Sequence, residues 1–438
     1  MEFVLCPCVL IICQENLIMN NKKVCVVVDG YSTGRYLSKE LMSRGYASLH
    51  VQSQPVIPSI YVDTFNPSDY VRNLIYEGDF DATLSELKRY DVELVIAGSE
   101  PGVELADCLS ESLNLLTNGT YLSKARRDKF EMLEVLRARG VRTAKYLKAS
   151  QPFQVVEWIG ERGIPKVVLK PINSAGSDNV YVCESESEIH TAFAHIVGRE
   201  NKLGYVNEEV LAEEYLDGVE HVVNTVSRDG SHYVAEIWRC EKRRIKGRAA
   251  HACIYDVEKL LPFDGEDQAQ LVRYTLKVLD ALRIAHGPAH AEIMMTSEGP
   301  VLIEIGARLM GGVNPLAFEA CLGTNLVHLT ADAYLSPPSF LPRCGMPYTL
   351  QKTLYAVVLI SNVEGILGAV PLLEHVRQLE SFFDISLTVR CGSRIERTLD
   401  LFSAPGIVFL VHADPDVLER DYHTIRRLEA HGYTLKHD

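Results

Sequence analysis

Two glutamates are the residues of this sequence best placed to do chemistry. Glu292 and Glu304 each stand between strand-forming apolar residues, in Ala291-Glu292-Ile293 and Ile303-Glu304-Ile305, with a turn-like Ser297-Glu298-Gly299 between them. A hairpin folded there brings both carboxylates onto one face of a buried sheet. Like charges inside a core are costly unless a cation pairs them. Hard carboxylate oxygens suit Mg²⁺ bridged to phosphates, with Mn²⁺ as a substitute. Arg308 follows in the same run and is spaced to meet developing phosphoryl charge. The alternative is a pair with a structural role only.

A second segment, Val168-Leu169-Lys170-Pro171-Ile172-Asn173-Ser174-Ala175-Gly176-Ser177, takes a lysine off the end of a strand into a loop of small residues. Backbone N–H groups of such a loop wrap phosphate oxygens while the lysine supplies charge. The spacing is not that of a Walker A loop, and a surface hairpin with an exposed lysine is the alternative. A third segment, Leu211-Ala212-Glu213-Glu214-Tyr215-Leu216-Asp217-Gly218-Val219-Glu220, sets carboxylates beside apolar surface. That pattern suits an adenine edge at Glu213–Leu216 and ribose hydroxyls at Glu220; a polar hairpin turning at Asp217-Gly218 is the competing reading. Arg239 to Arg248 packs six cations into ten residues, as a solvated or a phosphate-facing loop.

The elements that must position these groups are readable from their periodicity. Val24–Val28 is a β-branched run followed by Asp29-Gly30 and a helical stretch over Arg35–Arg44. Leu94–Ala97 repeats the pattern, with a turn at Gly98–Gly102 and a helix from Val103. Strands alternating with helices predict a parallel α/β layer. Ser123–Arg139 is expected to be one amphipathic helix stopped by Gly140. Short strands follow at Val167–Lys170, Val180–Val182, Val210–Glu213, Val222–Ser227 and Tyr233–Trp238, then a helix near Gln268–Leu282 and strands at Ala289–Met295 and Val301–Ile305. Ser336-Pro337-Pro338 and Pro342–Pro347 are expected to form a linker, with an α+β segment beyond them.

In this order the segments resemble the ATP-grasp superfamily. The resemblance implies an α/β and α+β architecture: an N-terminal parallel layer over 19–118, a nucleotide- and metal-binding region over 119–348 and a C-terminal α+β subdomain over 349–438. It implies that Lys129 and Lys170 are the two nucleotide lysines and that Ser174, Gly176 and Ser177 belong to the loop covering the phosphates. Glu213, Glu214, Tyr215 and Leu216 are then the adenine hinge, and Glu292 and Glu304 the metal ligands. Many members carry an asparagine two residues after the second glutamate; Gly306 here removes a third ligand from that position.

Glu304–Gly312 looks most like the L-amino acid ligases, which join two free amino acids at the expense of ATP, and Ser403–Leu410 is similar to theirs. That implies contact between Arg308 and the transferring phosphate, with Lys170 and Ser174 beside it and His251 facing the reacting carboxylate. Glu100 is expected at the substrate amino group, or else as a carboxylate stabilised at a helix start. Gly311 and Gly312 are expected in the substrate pocket, where glycine at 312 leaves room for a long first side chain. Some members, including those of rhizocticin-type biosynthesis, take arginine first; Asp332 and Asp384 are then candidate guanidinium partners.

The whole chain bounds these readings. Its 438 residues carry 44 Lys+Arg against 58 Asp+Glu, a formal charge of −14, with 47% hydrophobic residues. Such a composition suits a multi-domain globular protein. The acidic balance argues against nucleic acid as a partner, and no polybasic tail favours a membrane. The expected partners are free amino acids and ATP, with a homodimer left open. The 11 cysteines include no C-x-x-C pair, which fits reduced thiols in a cytoplasm. Residues 1–18 include an apolar run from Phe3 to Cys13, short of the about 20 residues a membrane span needs. They are expected to be an extension that the fold does not require.

Overall fold

Val24–Val28 (β1) is buried at every position, as a strand covered on both faces must be. With Ala47–Gln52 (β2), Arg72–Ile75 (β3) and Val92–Ala97 (β4) it forms a parallel sheet in the order β3-β2-β1-β4. Helices Arg35–Ser43 and Val103–Ser112 cover it. The computed structural model describes residues 23–244 and 253–436. The N-terminal extension, His251 and the Ile245–Arg248 part of the basic run lie outside the described residues.

A second, antiparallel sheet of Tyr146–Ala149 (β5), Val167–Pro171 (β6), Tyr181–Cys183 (β7) and Val210–Glu214 (β8) runs in the order β5-β8-β6-β7. Val155, Trp158, Ile189 and Phe193 from two helices seal one face of it. The chain then crosses at Tyr215–Asp217 into Gly218–Arg228 (β9), a strand of a different sheet. The polar-hairpin reading of this segment is therefore replaced by a hinge between two sheets.

The large sheet is built from β9, Ser231–Arg244 (β10), Cys253–Leu260 (β11), Gly287–Thr296 (β12) and Gly299–Gly306 (β13). Thr353–Val358 (β14) extends it. Beyond Gly365–Ala369 (β15), Phe382–Leu387 (β16), Arg394–Ile395 (β17) and Gly406–His412 (β18) complete the C-terminal strands with Thr434–Leu435 (β19). Eight of these run β13-β12-β9-β10-β11-β14-β18-β16, and β17-β15-β19 form a small sheet. The β11–β14 ladder, with Val257 opposite Val357, carries the large sheet across residue 348. One apolar core joins Leu37 and Leu41 of the N-terminal layer to Val222, Ile293 and Leu302 of the large sheet and Val278 of helix Glu266–Ala281.

Three local expectations change. Ser123–Arg139 is not one helix: a 3-10 turn at Lys124–Arg126 stops, and helix Lys129–Ala138 restarts with Asp128 as its cap. Asp128 accepts from the N–H groups of Phe130 and Glu131 at 2.9 and 3.0 Å, satisfying donors that a helix start leaves open. The break lets Arg126 and Arg127 turn into the protein, where both are buried. The expected linker is instead a helical turn at Pro337–Phe340 followed by Leu341–Arg343, pinned by the fully buried Phe340. The first half of the basic run stays in β10 rather than forming a loop, so neighbouring cations point to different partners. Among the described residues, no helix is long and apolar enough to cross a membrane.

Candidate functional site

Between the second sheet and the large sheet lies a cavity of about 530 Å³. Register places Glu292 of β12 directly opposite Glu304 of β13, so the local alternation that first singled them out does bring both carboxylates together. Lys129, in the first turn of the restarted helix, reaches Glu304 at 2.7 Å. Lys170 leaves the end of β6, pairs with Glu213 and donates to the Ile303 carbonyl at 3.2 Å. Glu220 of β9 is met by Lys242 of β10 at 2.8 Å. Lys129, Lys170 and Lys242 thus converge with Glu213, Glu220, Glu292 and Glu304 on one concave surface.

The loop after β6 closes a side of this cavity. Ser174 donates from its hydroxyl to Asp178 at 2.8 Å. Gly176 and Ser177 both have positive φ, 65° and 62°, which turns successive backbone N–H groups in a way that favours anions. A Cβ at Gly176 would stand 2.6 Å from the ring of Phe402, so glycine lets a C-terminal residue rest on the loop. At the hinge, Glu214 accepts from the Lys145 N–H at 2.8 Å, and Lys166 sits over the Tyr215 ring at 4.0 Å. Tyr215 and Leu216 line the cavity wall.

Arg308 and Glu100 meet beside this cavity rather than in its lining. Arg308 Nε donates to Glu100 Oε2 at 2.7 Å. Arg127 binds the other carboxylate oxygen at 3.0 Å. Burial would raise the Glu100 carboxyl, but Arg308, Arg127 and Lys129 together outweigh it and hold it near 2. Gly306 explains the pair's fit: a Cβ there would stand 2.7 Å from Glu100 Oε2 and 3.2 Å from Arg308 Nε. The space that a side chain at position 306 would take is filled by this ion pair. Gly312 donates its N–H to Ser32 Oγ at 3.1 Å, and Gly311 also packs against Ser32, joining the loop after Arg308 to the N-terminal layer.

Two other expected partners are engaged elsewhere. Asp332 pairs with Arg44 at 2.6 Å, and Asp384 accepts from Asn314 at 2.6 Å. The sequence reading missed Arg127, which follows Arg126 in a stretch that read as helix, and it did not single out Lys242 within the basic run. It also missed His290, two residues before Glu292 and hence on the same face of β12; its Nε2 lies 3.3 Å from Glu292 Oε1.

The donor set fits a divalent cation. Burial raises the carboxyls of both Glu220 and Glu292. The hydrogen bond from His290 and the charge of Lys242 bring Glu292 below its ordinary value, while Glu220 stays above its own. Among the described residues no cluster of three or more metal-ligating side chains occurs. Glu292 and Glu304 would therefore hold such an ion together with oxygens from a bound phosphate group and water.

Residues 164–315 match the ATP-grasp domain family. The chain is 34% identical over 426 residues to dapdiamide A synthase of Enterobacter agglomerans, covering 95% of this chain and 98% of that protein. It is 23% identical over 230 residues to the L-arginine-specific L-amino acid ligase of Bacillus subtilis, covering 52% of this chain and 54% of that one. The crystal structure of the L-amino acid ligase from Bacillus licheniformis superposes with a TM-score of 0.73 at 18% identity, covering 95% of this chain and 99% of that one.

Proposed function

The chain belongs to the ATP-grasp ligases, ATP-dependent enzymes that join a carboxylate to an amine, and within them we propose that it condenses two L-amino acids into a dipeptide. The observation that carries this reading is the Glu100–Arg308 pair beside a cavity lined by lysines and glutamates. A carboxylate flanked by guanidinium groups suits a molecule bearing both an ammonium and a carboxylate. The full-length similarity to dapdiamide A synthase supports the same class of product.

In this proposal the first amino acid's carboxylate oxygen attacks the γ-phosphorus of ATP, the bond to the β-phosphate oxygen breaks, and ADP leaves. The amine of the second amino acid then attacks the acyl-phosphate carbonyl, phosphate departs with the C–O bonding pair, and the nitrogen loses a proton. Lys129 and Lys170 neutralise phosphate oxygens, and Arg308 meets the charge that develops on the transferring group. Glu292 and Glu304 would hold Mg²⁺, whose contribution is to offset phosphate charge. Glu213–Leu216 would receive the adenine and Glu220 the ribose. The Ser174–Ser177 loop, seated under Phe402, would keep water from the acyl phosphate.

The first substrate is proposed to be large. Gly312 has φ of 69°, and a Cβ there would already lie 3.5 Å from Ile407, so glycine keeps the space beside Ile407 open. Phosphate release from MgATP, measured against single amino acids and then pairs with mass analysis, tests the whole reading. A pair with a bulky first member should raise release and yield its condensed mass. If no amino acid raises release above MgATP alone, the ligase of amino acids is the wrong assignment.

A further inference from the structure

Next to the glutamate pair, the large sheet carries a row of polar residues that the reaction above does not use. Register sets Gly306 of β13 opposite His290 of β12, His290 opposite Asn224 of β9, and Asn224 opposite Glu236 of β10. All three side chains are buried, Asn224 and Glu236 completely. Asn224 donates from Nδ2 to Glu236 Oε2 at 2.8 Å, and the Trp238 indole N–H reaches the same oxygen at 3.1 Å. Asn224 Oδ1 lies 2.8 Å from His290 Nδ1, and His290 Nε2 faces Glu292.

The order of donors is forced. Glu236 Oε2 accepts from both the Trp238 indole and Asn224, so the amide nitrogen faces Glu236 and the amide oxygen faces His290. That oxygen accepts from an N–H on Nδ1, which sets the plane of the imidazole and brings Nε2 to 3.3 Å from Glu292 Oε1; with both ring nitrogens protonated, Nε2–H donates to that carboxylate. The same Asn224 nitrogen lies 3.2 Å from Met310 Sδ, two residues beyond Arg308. A polar row inside an apolar sheet adds little stability over hydrophobic residues of the same shape. What it adds is orientation.

We infer that Asn224 is a positioning residue for the reaction: through His290 it fixes the carboxylate of Glu292, and through Met310 it anchors the loop that carries Arg308. The phosphate-meeting guanidinium and the cation-holding carboxylate are thereby tied to one buried amide. This rests on the reading of Glu292 as a metal ligand.

The test titrates Mn²⁺ into the full chain in the presence of ADP, with free Mn²⁺ read by electron paramagnetic resonance and folding by circular dichroism. Asn224→Asp keeps the shape and the acceptor toward His290 but cannot donate to Glu236. It should weaken Mn²⁺ binding roughly 10–100-fold, the loss typical of groups that orient metal ligands, with ADP affinity unchanged. Glu292→Gln is the control. If it weakens Mn²⁺ while Asn224→Asp binds like wild type, the positioning role is overturned and the metal assignment stands. If Glu292→Gln itself binds like wild type, the metal assignment falls and this inference with it. Should Asn224→Asp fail to fold, His290→Gln carries the same test, and wild-type Mn²⁺ affinity there would overturn the role. Met310→Leu, which conserves volume, reads the other arm: a several-fold fall in kcat for ADP release with Mn²⁺ affinity intact is expected, and an unchanged kcat removes the arm to Arg308.

Discussion

At Glu236 the interior of the large sheet holds a carboxyl that burial pushes up to about 8, against hydrogen bonds from Asn224 and Trp238 that pull it down. Between the ordinary value of 4.5 and about 8 the folded chain keeps a proton that the unfolded chain releases. Stability contributed by this group is therefore present at low pH and lost as pH rises through that window. Glu236→Gln removes the dependence. Its stability relative to wild type should improve from about pH 6 to about pH 8, by at most about 1.4 kcal/mol per pH unit. Thermal melts across that range check it, and a constant difference between the two proteins would contradict the buried-acid account. Residues of this kind divide by how far away their partners lie. Glu292 and Glu304 were readable because alternation along two adjacent strands is local information. Arg127 was not, because the Glu100 that explains its burial lies 27 residues earlier in the chain. The pairing of Arg308 with the same carboxylate spans 208 residues, and no local pattern encodes that contact.

Elements show the same division. The strand–turn–helix units of the N-terminal layer followed from apolar runs and glycine stops. The break before Lys129 did not, because Ser123–Arg139 has helical periodicity throughout and only the inward turn of Arg126 and Arg127 rewards an interruption. Arg126 is fully buried, with Asp107 at 2.9 Å. Asp128 makes the restart stable, and its replacement by alanine should cost about 1 kcal/mol as a lost cap. The larger effect should fall on function, since Lys129 is the first residue of the restarted helix. Chemical denaturation and ADP titration of Asp128→Ala separate the two: nucleotide affinity should drop while the denaturation midpoint shifts only slightly. An affinity equal to wild type would show that the cap does not set the lysine. The basic run misled for a related reason. Charge density suggests a loop, yet β10 carries the run as far as Arg244, sending Lys242 to Glu220 and Arg243 to Asp256 at 2.5 Å.

Taken whole, the molecule encloses its cavity between two sheets joined at Tyr215–Asp217, with the loop after β6 resting under Phe402 from the C-terminal segment. If that contact holds water out, Phe402→Ala should uncouple the reaction. Phosphate release would continue while the yield of condensed product per phosphate falls, and measuring both in one reaction checks it. An unchanged ratio would remove Phe402 from the closure. The continuity of the large sheet through β11 and β14 has a consequence for how such enzymes are recombined. The proline-rich stretch at 336–347 invites a crossover between homologues. A chimaera joined there would have to match the foreign β14 to the resident β11, residue for residue. It would also bring a foreign neighbour to the loop after β6, where Phe402 now rests on Gly176. Hybrids spliced at that point should inherit folding defects and altered coupling together, so the C-terminal segment and the strand that receives it are best exchanged as one unit.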